Sequence, residues 1–188
     1  MTGGNVEFRR AAVDDAAIVA HIVAMAFGED LTRRLCGDAG ETLFEELVRR
    51  DDTQYSYRNV LVCEVDGEVV GAVCGYDGAR LHELRAPVLE TILMRCGAMP
   101  EVADETSAGE FYLDTLGVLP QVRGRGLGAE LIRRMRDEAF AEGHECVSLL
   151  VDEDNRAAER LYERLGFRRS DEVDLLGHKM FRMLSLRR

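Results

Sequence analysis

The sequence predicts a mixed α/β fold, with a central twisted sheet of six or seven strands and helices on both faces. Three observations carry this. Two apolar runs, N-V-L-V-C-E-V and E-V-V-G-A-V-C-G-Y, flank Asp66-Gly67, a dipeptide suited to the type I′ turn, so Val60 to Tyr76 reads as a β-hairpin. From Phe111 an apolar strand passes through a short turn into a glycine-rich loop and then straight into an amphipathic helix striped by Leu127, Leu131, Met135 and Ala139. Beyond that helix, strand and helix patterns keep alternating to the end of the chain.

In order along the chain, Val6 to Arg9 alternates and reads as a first strand. Asp14 or Asp15 then starts an apolar helix through Ile18, Ile22, Val23 and Phe27, which Gly28 is expected to end. A second amphipathic helix carries Leu43, Phe44, Leu47 and Val48. Both arms of the hairpin that follows are apolar enough for central strands. Between Asp77 and Gly109, Leu81, Leu84, Val88, Leu89, Ile92 and Leu93 recur at helical spacing, and Pro87 is expected to kink or restart that helix. Pro100 and the acidic residues Glu101, Asp104 and Glu105 then mark a solvated loop, so residues 79–108 read as a helical insert. Gly143 stops the striped helix and C-V-S-L-L-V (146–151) gives a fifth strand. Asn155 starts a helix with Ala158, Leu161, Tyr162 and Leu165 on one stripe, and Gly166 ends it. Phe167 begins a strand into Glu172, and Lys179 to Leu186 alternates as the last one.

The 188 residues suit one domain spanning 1–188, and 46% hydrophobic composition is ordinary for a globular chain. A formal charge of −11 argues against nucleic acid and against anionic membrane surfaces, both of which need a basic footprint, while a cationic partner is tolerated. Cys36, Cys63, Cys74, Cys96 and Cys146 form no C-x-x-C and read as reduced, buried thiols, which points to the cytoplasm. The start of the chain has no apolar signal-like run, and no stretch of 18 apolar residues occurs, so neither export nor a membrane span is expected. His21, His82, His144 and His178 are scattered and build no metal-ligand cluster.

The loop R-G-R-G-L-G-A (Arg123 to Ala129) is where chemistry is concentrated. Gly124, Gly126 and Gly128 leave the backbone bare where it turns into the helix, so amide N–H groups can approach a bulky anion. Arg123 and Arg125 add positive charge, and the first helical turn adds orphan donors and the positive end of the helix dipole. A phosphate-bearing ligand is the expectation. Gly124, Gly126 and Ala129 also fit a dinucleotide-binding fingerprint, with Asp152 as the ribose acid. Against that rival, Leu119 to Val122 separate strand from glycines and only about 60 residues remain after the loop. A P-loop is excluded because no Gly-Lys-Ser/Thr follows.

The loop and the later run D-E-D-N-R-A-A-E-R-L-Y-E-R-L-G-F (152–167) together resemble the GNAT superfamily of acyl-CoA-dependent N-acyltransferases. Its Arg/Gln-x-x-Gly-x-Gly/Ala signature is met by Arg123, Gly126 and Gly128, and the Asn, Ala, Leu, Tyr and Gly-Phe follow in order over about residues 110–170. The resemblance implies a GNAT-type fold, acetyl-CoA as cosubstrate and an amine acceptor, a small molecule or a peptide. It implies backbone amides of Leu116 and Val118 beside a bulge for the thioester and pantetheine. The amides of Arg123, Gly124, Arg125, Gly126, Leu127, Gly128 and Ala129 would take the pyrophosphate, Asn155 would contact the coenzyme, and Tyr162 would act as general acid. The first two helices would wall the acceptor site, and the 79–108 insert would shape that pocket or else serve as a packing helix or homodimer contact. For the base, Glu110 stands where the histone-acetylating branch has a glutamate, and Asp114 shares its strand face by parity, with Glu110 expected at the open end of the splayed strands. An inactive coenzyme-binding or sensing domain and an NAD-type oxidoreductase remain as alternatives.

Overall fold

The computed structural model describes residues 4–37, 40–175 and 177–187, without the side chains of 34–36. The elements are β1 (Val6–Arg10), α1 (Ala16–Cys36), α2 (Gly40–Arg49), β2 (Val60–Val65), β3 (Glu68–Asp77), α3 (Leu81–Cys96), β4 (Phe111–Val118), α4 (Leu127–Ala141), β5 (Cys146–Asp152), α5 (Arg156–Arg164), β6 (Arg168–Leu175) and β7 (His178–Leu186). They build a seven-stranded sheet in the order β1-β2-β3-β4-β5-β7-β6, within the predicted range. Every neighbouring pair is antiparallel except β4 and β5.

Helices cover both faces. On one face α1, α2 and α3 bury Val19, Ile22, Phe44, Leu47, Val88 and Ile92 against Val60, Val62, Ala72 and Cys74. On the other, Leu127, Leu131, Ile132, Met135 and Ala139 of α4 meet Leu61, Val73, Leu113 and Leu149, and α5 adds Leu161 and Tyr162 at the margin. The β2–β3 hairpin turns through Asp66 (φ 53°) and Gly67 (φ 84°), the left-handed pair that a type I′ turn needs. β2 and β3 are both interior strands.

Gly28 (φ 77°, ψ 163°) ends the first helical segment as expected, and a second segment follows across the kink to Cys36, the two together making up α1. Three expectations need correction. Pro87 lies inside α3, which runs on to Cys96: the buried Leu84, Val88 and Ile92 pin the helix on both sides of the proline. The 97–110 connection is not wholly solvated, since Glu105 and Thr106 are buried. Of the thiols, Cys63 and Cys74 are buried, Cys146 is half-buried and Cys96 is exposed, while the side chain of Cys36 lies outside the described residues.

β4 controls the architecture at the centre. It pairs with β5 over only three positions, Phe111↔Val147, Tyr112↔Ser148 and Leu113↔Leu149. On its other side Gly75 of β3 faces Leu113 and Cys74 faces Thr115, so Asp114 is an extra residue in a β-bulge. The bulge shifts the side-chain alternation: Leu113 and Leu116 both pack toward the α4 face, although an unbroken strand would put them on opposite faces. Past Leu113 the two strands separate. α1 is held close to the diverging end at Gly117, where a Cβ would stand 2.5 Å from Ile22 Cγ2 and 3.0 Å from the Ile22 carbonyl oxygen. Gly117→Val should therefore push α1 off β4 and destabilise the protein by about 1–3 kcal/mol, read as a lowered urea midpoint with an unchanged slope.

Candidate active site

The gap between the separated strands opens into a cavity of about 410 Å³. Its walls come from the broken segment of α1, from α3 and the connection after it, from β4 beyond the bulge and from α5. Because β5 leaves, the backbone groups on the β5 side of residues 114–118 have no strand partner. One of them, the Val118 carbonyl, accepts from Arg123 Nε at 3.0 Å.

Of the residues singled out in the sequence, Asp114, Leu116, Asn155 and Tyr162 line this cavity together. Asn155 caps α5, its Oδ1 accepting from Ala158 N at 3.1 Å. About two turns on, Tyr162 stacks edge-on against Phe167 at 6.1 Å, and no hydrogen bond to its hydroxyl forms among the described residues. Burial pushes the phenol pKa up to about 12, so the group is a neutral O–H donor. Val118 and residues 123–129 lie outside the cavity and continue the same edge. There Gly124 (φ 78°) and Gly126 (φ 81°) take left-handed conformations that an L side chain would strain. Gly126 starts α4 with no side-chain cap, and the first helical bond runs from Glu130 N to Gly126 O. The amides of Leu127, Gly128 and Ala129 therefore have no intrahelical acceptor, which is a fit for an anionic phosphate.

Glu110 stands elsewhere. It precedes the three paired positions, at the closed end of the β4–β5 junction, and it does not line the cavity. Its carboxylate accepts from Thr106 Oγ1 at 2.8 Å, Ser107 N at 3.1 Å and Arg182 Nη1 at 2.7 Å. The expected location at the open end is thus corrected: the strands splay after Glu110 in the chain, and its Oε1 is held by three donors.

What the sequence did not signal is a buried polar chain on the α3 side. Asp114 Oδ2 accepts from Tyr76 OH and from Gln54 Nε2, both at 3.0 Å, and Thr115 Oγ1 donates to Oδ1 at 2.8 Å. Tyr76 OH also lies 3.4 Å from Glu105 Oε1, so one hydroxyl proton serves two carboxylates. Glu105 pairs with Arg85, only 6% exposed, which also reaches Asp104 at 3.0 Å. Burial, reinforced by the charge of Asp114, raises the Glu105 carboxyl to about 7 against the opposing pull of Arg85. Asp114 is raised too, by burial, although three hydrogen bonds oppose the shift. Apart from the bond from Thr115 to its neighbour Asp114, none of these contacts is local in sequence: Arg85 looked like a helix position and Glu105 like part of an acidic loop.

A family profile described as "Acetyltransferase (GNAT) family" matches residues 25–167. The chain belongs to that family. It is similar to "Acetyltransferase SG1711" of Sodalis glossinidius, 34% identical over 121 residues, and that match spans 64% of this chain and 64% of the relative's length. A solved structure described as "acetyltransferase" superposes with a TM-score of 0.78 at 27% identity, covering 96% of this chain and 98% of the other. The structure of yncA from Salmonella typhimurium, solved with its cofactor acetyl-CoA, has a TM-score of 0.64 at 20% identity and covers 96% and 93%.

Removing the buried cation should be costly. Arg85→Met leaves Glu105 and Asp114 without a countercharge, so we expect a loss of about 3–5 kcal/mol at pH 8 by urea unfolding. The loss should shrink at pH 5, below the raised Glu105 value, where the folded protein holds the carboxyl neutral.

Proposed function

We propose that the protein is an N-acetyltransferase that moves the acetyl group of acetyl-CoA onto an amine. The observation that carries this reading is the unpartnered, neutral hydroxyl of Tyr162 in the cavity opened by the β4–β5 separation. Family membership supports it, as does the acetyl-CoA found with yncA. The cosubstrate supplies an activated acetyl thioester. In the transfer a C–N bond forms and the C–S bond breaks, so the sulfur needs a proton and the amine must lose one. Tyr162 O–H is the donor in this reading. Backbone groups of Leu116 and Val118, left without a strand partner, orient the pantetheine arm and the thioester carbonyl. The uncapped start of α4, with Arg123 and Arg125 beside it, receives the pyrophosphate. Asn155 borders the coenzyme from the start of α5.

The acceptor enters from the α1–α3 side. This assigns the broken segment after Gly28 and the 79–108 insert to the acceptor wall, within one domain over 1–188. Asp114, at the bulge and inside the cavity, takes the acceptor-facing role. Glu110 is assigned to anchoring Arg182 across the sheet. Among the described residues no helix is long and apolar enough to cross a membrane.

Two outcomes test the reading. Tyr162→Phe removes only a hydroxyl, so turnover should fall by roughly 10² to 10⁴ while CoA affinity stays near wild type. Turnover at the wild-type rate on a good acceptor would make Tyr162 a packing residue. Gly126→Asp combines a strained φ with a negative charge at the start of α4, and it should weaken CoA binding about a hundredfold or more by calorimetry. Unchanged affinity would move the coenzyme away from this loop.

A further inference from the structure

A second, smaller recess opens off the large cavity at the root of the wedge between β4 and β5. It measures about 30 Å³, and its floor is made by Val73 of β3, Leu113 of β4, Ile132 of α4 and Leu149 of β5. Leu113 and Leu149 are the last paired rung before the strands separate. Leu116 and Tyr162 line both spaces, so the recess and the large cavity meet beside them. All four floor side chains are hydrocarbon and buried. The polar side-chain atoms of Asp114 and Thr115, at the same junction, are turned to each other, to Tyr76 and to Gln54. Protein interiors are close-packed, and a void forfeits the contacts of the atoms that line it. A gap held open by tightly packed hydrocarbon beside the site suits a small apolar occupant.

We infer that this recess measures the acyl chain and that Ile132 sets its depth, so that the protein takes acetyl-CoA and discriminates against propionyl-CoA and longer acyl thioesters. This rests on the acetyltransferase reading and deepens it. A thioester carbon is trigonal: the sulfur, the oxygen and the alkyl carbon lie in one plane, and the amine attacks from a face of that plane. The alkyl group therefore needs a space apart from the other three. The sulfur is assigned to Tyr162, the oxygen to the freed backbone beside Leu116 and the amine to the α1–α3 side. What is left at that junction is the recess, and its floor is apolar. About 30 Å³ is the share of one water molecule in the liquid, so the recess takes a methyl-sized group and not a chain. Its floor is fixed on three sides by the sheet: Val73 lies in an interior strand, and Leu113 and Leu149 are held by their rung. Ile132, 1% exposed, is the floor residue that comes from a helix. Shortening it lengthens the recess without altering a strand.

The test is calorimetric binding of CoA, acetyl-CoA and propionyl-CoA to the intact protein with no acceptor present. A methylene too many or too few in a closed apolar pocket is worth roughly 10- to 200-fold, so propionyl-CoA should bind about tenfold or more weaker than acetyl-CoA. Ile132→Ala should remove most of that gap, while the affinity for free CoA, which carries no acyl group, stays the same. Ile132→Val takes away a single carbon, is milder on the core, and should narrow the gap by about threefold. Val73→Leu adds a carbon to the floor and should weaken acetyl-CoA while leaving free CoA unchanged. Equal binding of acetyl-CoA and propionyl-CoA to the wild type would overturn the proposal without any variant. A gap of undiminished size in folded Ile132→Ala or Ile132→Val would do the same. Because binding needs no turnover, the two readings separate. A chain-length preference in a protein that transfers no acetyl group keeps the pocket and removes the acetyltransferase. Acetyl transfer to an amine with no chain-length preference removes the pocket alone.

Discussion

A single extra residue in β4 governs the active site. Asp114 bulges out of the β3–β4 ladder, and immediately afterwards β4 loses β5. A parallel strand pair normally satisfies its backbone along its whole length, so early separation leaves hydrogen-bonding groups exposed inside the protein. Those groups and the wedge-shaped gap form one feature. The bulge also turns Asp114 toward Gln54 and Tyr76, so the distortion that opens the coenzyme side delivers a carboxylate to the other side.

The two halves of the cavity differ in chemistry. On the α4 and α5 side are uncapped amides, left-handed glycines and a neutral phenol, all suited to an anionic thioester carrier. On the α3 side are carboxylates held by Arg85. Low-dielectric surroundings strengthen both characters, because each charge or dipole is screened little by water. The boundary between a region built for negative charge and one built for positive charge lies at the bulge.

The features visible in the sequence share short-range causes. Asp66-Gly67 announces the hairpin because the turn itself demands positive φ, and Gly124 and Gly126 announce the loop for the same reason. The stripes of α2 and α4 follow from burying one helix face. The less visible features depend on pairings distant in the chain. Nothing near Asp114 encodes its bulge, which is a matter of register against Cys74 and Gly75. Glu105 reads as solvated until α3 brings Arg85 over it, and Gln54 sits in a stretch with no motif. Pro87 shows the opposite failure: a local breaker signal was overruled by tertiary packing on either side.

The short β4–β5 ladder has a mechanical consequence. The sheet consists of two antiparallel ribbons, β1 to β4 and β5 to β7 with β6, and among the described residues they are stitched by three residue pairs. Such a seam is too short to hold them alone. α4 takes up the load, burying Leu131, Ile132 and Met135 against residues from both ribbons. The helix that opens at the glycine loop is therefore also the clasp of the molecule, so a ligand seated at its first turn favours the closed, cooperative state of the whole domain over partial opening along the seam.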